Sequence, residues 1–291
     1  MPEVSVLMTV YNREKYLSAA IESVLKSRLE DFEFILVDDC SSDSSWEIVQ
    51  HYGNRDPRVR IYKNSQNLGD YGNRAKAAFL ASGEYIKYLD SDDLAYPHTL
   101  DVMLESVRQF PDAALALSHP QPEADLPYPI HLTSQQAWYR HFLGRGCLSC
   151  GPTGAIIRRS AFEAVGGFRK EWGVLSDIDL WLRLSAQWPV VLLPPGLAWW
   201  RRHEEQEYTR GNARYQYLVN GYELTRHALA ADNCPLSSHE QQTALDRAKQ
   251  HHARRLLSLL FREKRPRLFF DAIRKANFGI LQLARGFFPY S

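Results

Sequence analysis

Residues 85–93 read YIKYLDSDD, an apolar and aromatic run that breaks into Asp90, Ser91, Asp92 and Asp93. Side chains two apart on a strand share a face, so Asp90 and Asp92 address one site where the extended geometry persists. Such carboxylates repel each other. A hard divalent cation, Mg²⁺ or Mn²⁺, bound through oxygen with positions left open for substrate phosphate, relieves that repulsion. The same residues also suit a solvated turn, or an N-cap for the segment after Pro97. A further carboxylate, Asp177, lies in LSDIDLWLRL (175–184), where Leu180, Trp181 and Leu184 give a helix its apolar face and Ser176 is placed to cap it. At a helix N-terminus Asp177 can take a proton from an attacking hydroxyl within hydrogen-bond reach. Its structural reading is a charge that complements the helix dipole.

These residues need elements to hold them. Val4 to Val10 reads as a strand, followed by a helix with Leu17, Ile21, Val24 and Leu25 at helical spacing. Phe32 to Val37 is a second strand that delivers Asp38 and Asp39 into a loop before a helix through Trp46, Ile48 and Val49. Val59 to Tyr62 is a third strand, 64–72 a polar loop, 73–81 a helix, and Tyr85 to Leu89 the fourth strand. Strands alternating with helices predict an α/β fold with right-handed crossovers and a largely parallel sheet covered on both faces.

In such a sheet a ligand sits outside the carboxyl ends of the strands, where Thr9, Tyr11, Asp38, Asp39, Asp90 and Asp92 all lie. Neither G-x-G-x-x-G nor G-x-x-x-x-G-K-[ST] occurs, so the crevice is not a dinucleotide fingerprint or a P-loop. A nucleotide held by a metal fits instead. Thr9, Tyr11 and Asp39 suit a base and ribose, and Arg74 suits a phosphate. Each has a plain alternative: Tyr11 as core aromatic, Asp39 as turn former, Arg74 as a solvated helix face.

A chain of 291 residues with 45% apolar and 24% charged residues and a formal charge of +1 has room for a large core. Its overall charge favours no nucleic-acid partner. The opening MPEVSVLMTVYN lacks the pattern of a secretory signal, and no apolar run is long enough to span a bilayer, which sets a cytoplasmic expectation. Cys40, Cys147, Cys150 and Cys234 read as reduced and structural.

Taken together, VSVLMTVYNREKYLSAAIESVL, VDDCSSD, NLGDYGNRAKA, ASGEYIKYLDSDD, VGGF and SDIDLWLRL resemble the family-2 glycosyltransferases of the GT-A fold, over roughly the first two-thirds of the chain. The resemblance implies transfer of a sugar from a nucleoside-diphosphate sugar, a UDP-sugar being favoured, usually with inversion and with Mn²⁺ or Mg²⁺. It assigns Thr9, Tyr11, Asp39, Arg74, Asp90 and Ser91 to the nucleotide sugar, and Asp90 with Asp92 to the Asp-x-Asp motif. Asp177 matches the catalytic Asp of a Glu-Asp motif, although Ser176 stands where Glu is usual, and Asp179 stays a second candidate. Through an Arg-x-His-like stretch the resemblance also makes His203 a metal ligand alongside Asp92, and Arg202 a diphosphate contact. The expected layout is a catalytic domain at 1–212, with a Rossmann-like nucleotide half at 1–110 and an acceptor half at 111–212, then a helical extension at 213–291. Residues 111–134, rich in proline and acids, read as a connection between the halves.

From residue 245 to the end, eleven Lys and Arg face three Asp and Glu, interleaved with apolar residues such as Leu256, Leu260, Phe261, Phe270, Phe287 and Phe288. That suits an interfacial helix on anionic lipid, peripheral on the inner face of the cell membrane, which brings the enzyme to a lipid-linked saccharide acceptor. A helix packed on the catalytic domain or on another subunit fits equally. Cell-surface polysaccharide or glycolipid assembly is the expected setting. Two rival functions fit less well. A sugar-phosphate nucleotidyltransferase calls for a glycine- and lysine-rich first loop, which 9–15 lacks; a non-catalytic sugar-nucleotide scaffold predicts degraded motifs, whereas Asp90, Asp92 and Asp177 are all present.

Overall fold

A computed structural model of the chain describes residues 1–119, 126–203, 211–276 and 278–284. Its first half alternates strand and helix: β1 (Val4–Val10), α1 (Glu14–Leu25), β2 (Phe32–Asp38), α2 (Ser45–Gly53), β3 (Val59–Lys63), α3 (Asp70–Phe79) and β4 (Tyr85–Tyr88). A short β5 (Leu94–Ala95) and α4 (Thr99–Arg108) follow, then β6 (Leu115–Ser118), β7 (Ile130–Leu132), α5 (Ser134–Leu143), β8 (Ala155–Arg158), α6 (Arg159–Ala164), α7 (Ser176–Ser185), β9 (Val190–Leu193) and β10 (Ala198–Trp199). The C-terminal part is helical: α8 (Gly211–Leu229), α9 (Ser238–Phe261), α10 (Pro266–Lys275) and α11 (Ile280–Ala284). No helix among the described residues is long and apolar enough to cross a membrane.

The main sheet has the order β3-β2-β1-β4-β8-β6-β9-β7, and β10 pairs with β5 in a small second sheet. β3, β2, β1 and β4 are parallel neighbours. β8 runs antiparallel between β4 and β6, β9 lies parallel to β6, and β7 closes the edge antiparallel to β9.

Period-two alternation sorts the strand residues into two layers. Val4, Val6, Met8 and Val10 of β1, with Phe32, Phe34 and Leu36 of β2, enter a core layer covered by Leu17, Ile21 and Val24 of α1 and Leu100, Met103 and Val107 of α4. Leu7, Ile35 and Val37 point the other way, to Ala77 of α3, Trp138 of α5 and Leu180, Trp181 and Leu184 of α7. Each fully buried large aliphatic contributes about 1.5–3 kcal/mol, so continuous apolar runs become central strands. Leu224, Ala228 and Leu229 of α8 join this second layer, while Leu218 and Tyr222 of α8 pack with Leu256, Leu259, Phe269 and Ala272 in a separate cluster among the C-terminal helices.

Three expectations are corrected. The third helix begins at Asp70 and ends at Phe79, rather than spanning 73–81. Gly69, at φ +76°, makes the turn that lets it start early, and Asp39 fixes that turn by accepting from the backbone of Leu68 and Gly69. Residues 111–134 are more than a connection, because β6 lies buried between β8 and β9. Its short run Leu115–Ser118 reads weakly in a segment punctuated by prolines. Ser176 does not cap α7: it is the first helical residue, and its hydroxyl donates back to the carbonyls of Gly173 (2.8 Å) and Arg169 (2.5 Å).

Candidate active site

The parallel register sets Val10 beside Asp38, so the chain leaves β1, β2 and β4 on the same side of the sheet. The two first loops are laced together. Asn12, at φ +51°, donates its N–H to Ser41 Oγ (3.0 Å) and accepts from Ser42 N–H (2.8 Å), and Arg13 N–H donates to Ser45 Oγ (2.8 Å). Tyr11 is left 49% exposed beside them, while Thr9 is partly buried at the end of β1. An aromatic ring presented this way offers a face to a planar base.

Asp39 is buried, and its carboxylate accepts from Leu68 N–H (2.8 Å), Gly69 N–H (2.9 Å) and the Asn64 amide (2.6 Å). Asn64 bonds in turn to Asn73, whose amide reaches the Val37 carbonyl. Asp39 thus ties the β3–α3 loop to the end of β2. Asp39→Ala is expected to lower stability by about 2–3 kcal/mol by leaving these donors unpaired, read as a drop in the midpoint of urea unfolding.

Arg74 lies between two carboxylates, with Nε 3.0 Å from Asp70 and Nη2 2.8 Å from Asp90. Burial alone lowers the pKa of a guanidinium, but here the flanking charges of Asp70 and Asp90 outweigh it and raise the value. Ser91 is buried next to Asp90. One oxygen of Asp92, Oδ2, meets His203 Nε2 at 3.0 Å and Arg13 Nε at 3.4 Å. Asp93 is fully buried, accepting from the Thr153 hydroxyl (2.8 Å) and from Arg201 N–H (3.1 Å). Its burial, reinforced by the charge of Asp90, pushes its carboxyl up.

The acidic loop is held from below and from the side. Thr153 Oγ1 accepts from Asp90 N–H (3.2 Å) while donating to Asp93, and the Thr153 carbonyl accepts from the buried Lys87 ammonium, which burial lowers to about 8. Arg201 donates through Nε to the Asp92 carbonyl (2.8 Å), with its guanidinium between the rings of Tyr16 (4.9 Å) and Trp199 (4.8 Å). Arg202 is exposed, and its guanidinium lies 5.3 Å from the centre of the Trp200 ring. Lys15, Tyr16 and 199–203 line a cavity of about 540 Å³ at this edge.

Asp177 stands in the first turn of α7 and accepts from Ile178 N–H at 2.7 Å. Burial pushes its carboxyl up to about 7; the Ile178 N–H and the Arg74 charge oppose the rise, and the Asp90 charge adds to it. Asp179 is engaged differently. Its carboxylate meets Arg183 Nε (2.9 Å) and Nη2 (2.8 Å), and Arg183 also reaches the carbonyls of Val165 and Gly167 (both 2.6 Å). This pair fixes the turn at Gly166 and Gly167, both at positive φ, where a Cβ on Gly167 would meet the Phe162 ring at 2.9 Å. Asp179 is thus paired with Arg183, whereas the charges of Arg74 and Asp90 act on Asp177.

The donor set suits a divalent cation as a partial site. Asp92 Oδ2 and His203 Nε2 are 3.0 Å apart, about the separation of adjacent ligands on an octahedral ion with bonds of about 2.1 Å. Among the described residues no group of three or more His, Cys, Asp or Glu forms a cage, so further ligands would come from water and substrate phosphate. Sequence reasoning missed Arg13, Lys87, Thr153 and Arg201. Arg13 and Lys87 lie inside motif stretches, but what gives these four residues their place in the site is contacts 60 or more residues away in the chain, which local sequence does not show.

Residues 5–166 match the family model described as glycosyl transferase family 2. A glycosyltransferase of Methanocaldococcus jannaschii is 40% identical over 119 residues, 40% of this chain; the chain spans about two fifths of that relative's length, 41%. S. aureus TarS 1-349, in a crystal structure with UDP-GlcNAc, aligns over 93% of this chain and 79% of its own with a TM-score of 0.70 at 20% identity. A mannosyltransferase from Pyrobaculum calidifontis, in complex with GDP-Man and Mn²⁺, covers 97% of this chain and 77% of its own with a TM-score of 0.65 at 16% identity. These neighbours share a GT-A fold with this chain, and because the family model spans more than half of its 291 residues, the chain belongs to glycosyl transferase family 2.

Proposed function

We propose that the protein transfers a sugar from a nucleoside-diphosphate sugar, a UDP-sugar, to a saccharide hydroxyl with inversion at the anomeric carbon. The observation that carries this reading is Asp177, a carboxylate raised to about 7 within range of Arg74 and Asp90. A base near neutrality combines adequate ionisation with adequate proton affinity. In the proposed step Asp177 accepts the acceptor's hydroxyl proton, and the freed oxygen attacks the anomeric carbon from the face opposite the nucleotide. Tyr11 and Thr9 hold the nucleoside, with Asp39 shaping the loop beside it. Arg74, with Asp90 and Ser91, orients the donor, and Arg202 reaches its diphosphate. Asp92 and His203 hold Mn²⁺ or Mg²⁺, whose chemistry is to neutralise charge on the departing diphosphate. The Pyrobaculum mannosyltransferase in complex with GDP-Man and Mn²⁺ and the TarS structure with UDP-GlcNAc support this choice of cation and donor class.

The pH profile tests the base. Asp177 must be ionised to work, so kcat/KM is expected to rise about tenfold per pH unit below about 7 and to level off above it. A flat profile between pH 5 and 8, with chemistry limiting, would remove Asp177 from that role.

The acceptor is proposed to be a saccharide carried on lipid, in cell-surface polysaccharide or glycolipid assembly, with the enzyme on the cytoplasmic face of the membrane. Support comes from α10 and the end of α9, where Phe261 (67%) and Phe270 (59%) are exposed among Arg262, Lys264, Arg265, Arg267, Arg274 and Lys275. Phe287 and Phe288 lie outside the described residues. Replacing Phe261 and Phe270 together by Ser is expected to weaken co-sedimentation with phosphatidylglycerol vesicles about tenfold or more. Vesicle binding equal to wild type would refute the membrane surface without touching the donor chemistry.

A further inference from the structure

We propose that Arg13 is the resident counter-cation of Asp92: it neutralises this carboxylate while no divalent ion is bound, and passes to the donor diphosphate when ion and donor arrive together. The inference rests on Asp92 as a ligand of the divalent ion. Arg13 Nε lies 3.4 Å from Asp92 Oδ2, the oxygen that also meets His203 at 3.0 Å. An ion seated on that oxygen brings a second positive centre against the guanidinium, and their repulsion favours moving Arg13 away.

Arg13 is built to move at its tip and not at its root. Its N–H is bonded to Ser45 Oγ (2.8 Å), and its carbonyl accepts from Tyr16 N–H (2.9 Å) and Leu17 N–H (3.0 Å) at the start of α1. The side chain is held more loosely. Among the described residues it makes one hydrogen bond, to the Asn12 carbonyl (3.1 Å), and an ion pair longer than a hydrogen bond to Asp92, and it keeps 25% of its surface exposed. A planar guanidinium with five donors fits two phosphate oxygens at once, and its position at the N-terminal end of α1 already favours anions. The consequence is coupling. The ion alone competes with Arg13 and binds weakly, whereas the ion with a nucleoside diphosphate gives the guanidinium a new partner and binds tightly.

The test is Mn²⁺ binding to the full chain, followed by the electron paramagnetic resonance of free Mn²⁺, with and without UDP. Arg13→Gln is expected to bind Mn²⁺ alone about two- to fivefold more tightly than wild type, and to lose most of the tightening that UDP produces. Arg13→Lys, which keeps the charge without the fork, is expected to match wild type for Mn²⁺ alone and to lose part of the UDP effect. Circular dichroism checks that both variants are folded. Unchanged or weaker Mn²⁺ binding by folded Arg13→Gln, with wild type and Arg13→Lys behaving normally, overturns the role of Arg13 alone. If wild type fails to bind Mn²⁺ even with UDP, and Asp92→Ala behaves the same, the metal reading falls and the inference falls with it.

Discussion

Asp177→Asn is expected to lower sugar transfer about 10²- to 10⁴-fold while leaving UDP affinity close to wild type. The amide keeps the shape of the carboxylate, and its oxygen can still accept from Ile178 N–H, so the start of α7 is undisturbed. What it lacks is the ability to take a proton. The same substitution also carries a stability signature. The native carboxyl, raised to about 7, binds its proton more tightly than the unfolded chain does, so the stability it contributes is present at low pH and is lost as pH rises toward and through about 7. A neutral Asn escapes that loss, and its melting temperature at pH 8 is expected to exceed that of wild type. Asp179→Asn is the contrasting variant. It weakens the pair with Arg183, which holds the Val165–Gly167 turn, so it is expected to lower the melting temperature, with activity falling only as the folded fraction falls. Product formation, UDP calorimetry and thermal melts on the three proteins separate these outcomes. Full turnover by Asp177→Asn would place the base elsewhere.

Asp92→Ala is expected to remove cation-dependent UDP binding, by about 100-fold or more, since even partners behind a metal ligand cost 10–100-fold when lost. Arg13 and His203 both converge on Asp92 Oδ2, so this one truncation also removes the shared partner of the Arg13 guanidinium and the His203 ring. Wild-type calorimetry should give tight UDP binding with Mn²⁺ and weak binding with chelator; the variant should give the chelator result under both conditions. Asp90 offers a comparison, because its carboxylate is committed to Arg74 at 2.8 Å. Asp90→Ala is expected to weaken UDP binding with and without Mn²⁺, whereas Asp92→Ala erases the difference between the two. Retention of Mn²⁺-dependent affinity by Asp92→Ala would move the metal to other ligands.

Local sequence determined the frame of this protein. The apolar runs of β1, β2 and β4 have no stable place except between two helical layers, and the polar residues that end them fall on one side of the sheet because parallel strands point the same way. From that, Asp38, Asp39 and the cluster from Asp90 to Asp93 were legible as polar residues at strand ends on one side of the sheet, and Asp177 as a carboxylate at a helix start. Tertiary structure decided what each carboxylate does there. Asp39 is tied to Leu68 and Gly69, about 30 residues on, which also sets where α3 begins. Thr153 meets Asp90 and Asp93 across 60 or more residues, and Asp92 receives Arg13 from one side and His203 from the other. Asp177 and Asp179, two residues apart in one helix, part company because one is raised by burial beside the charges of the crevice and the other is paired with Arg183. Periodicity reports which face of an element is apolar, because the pattern repeats along the chain. Charge pairing and desolvation depend on which distant groups the fold brings within a few ångströms, and those were decided only when the sheet had closed.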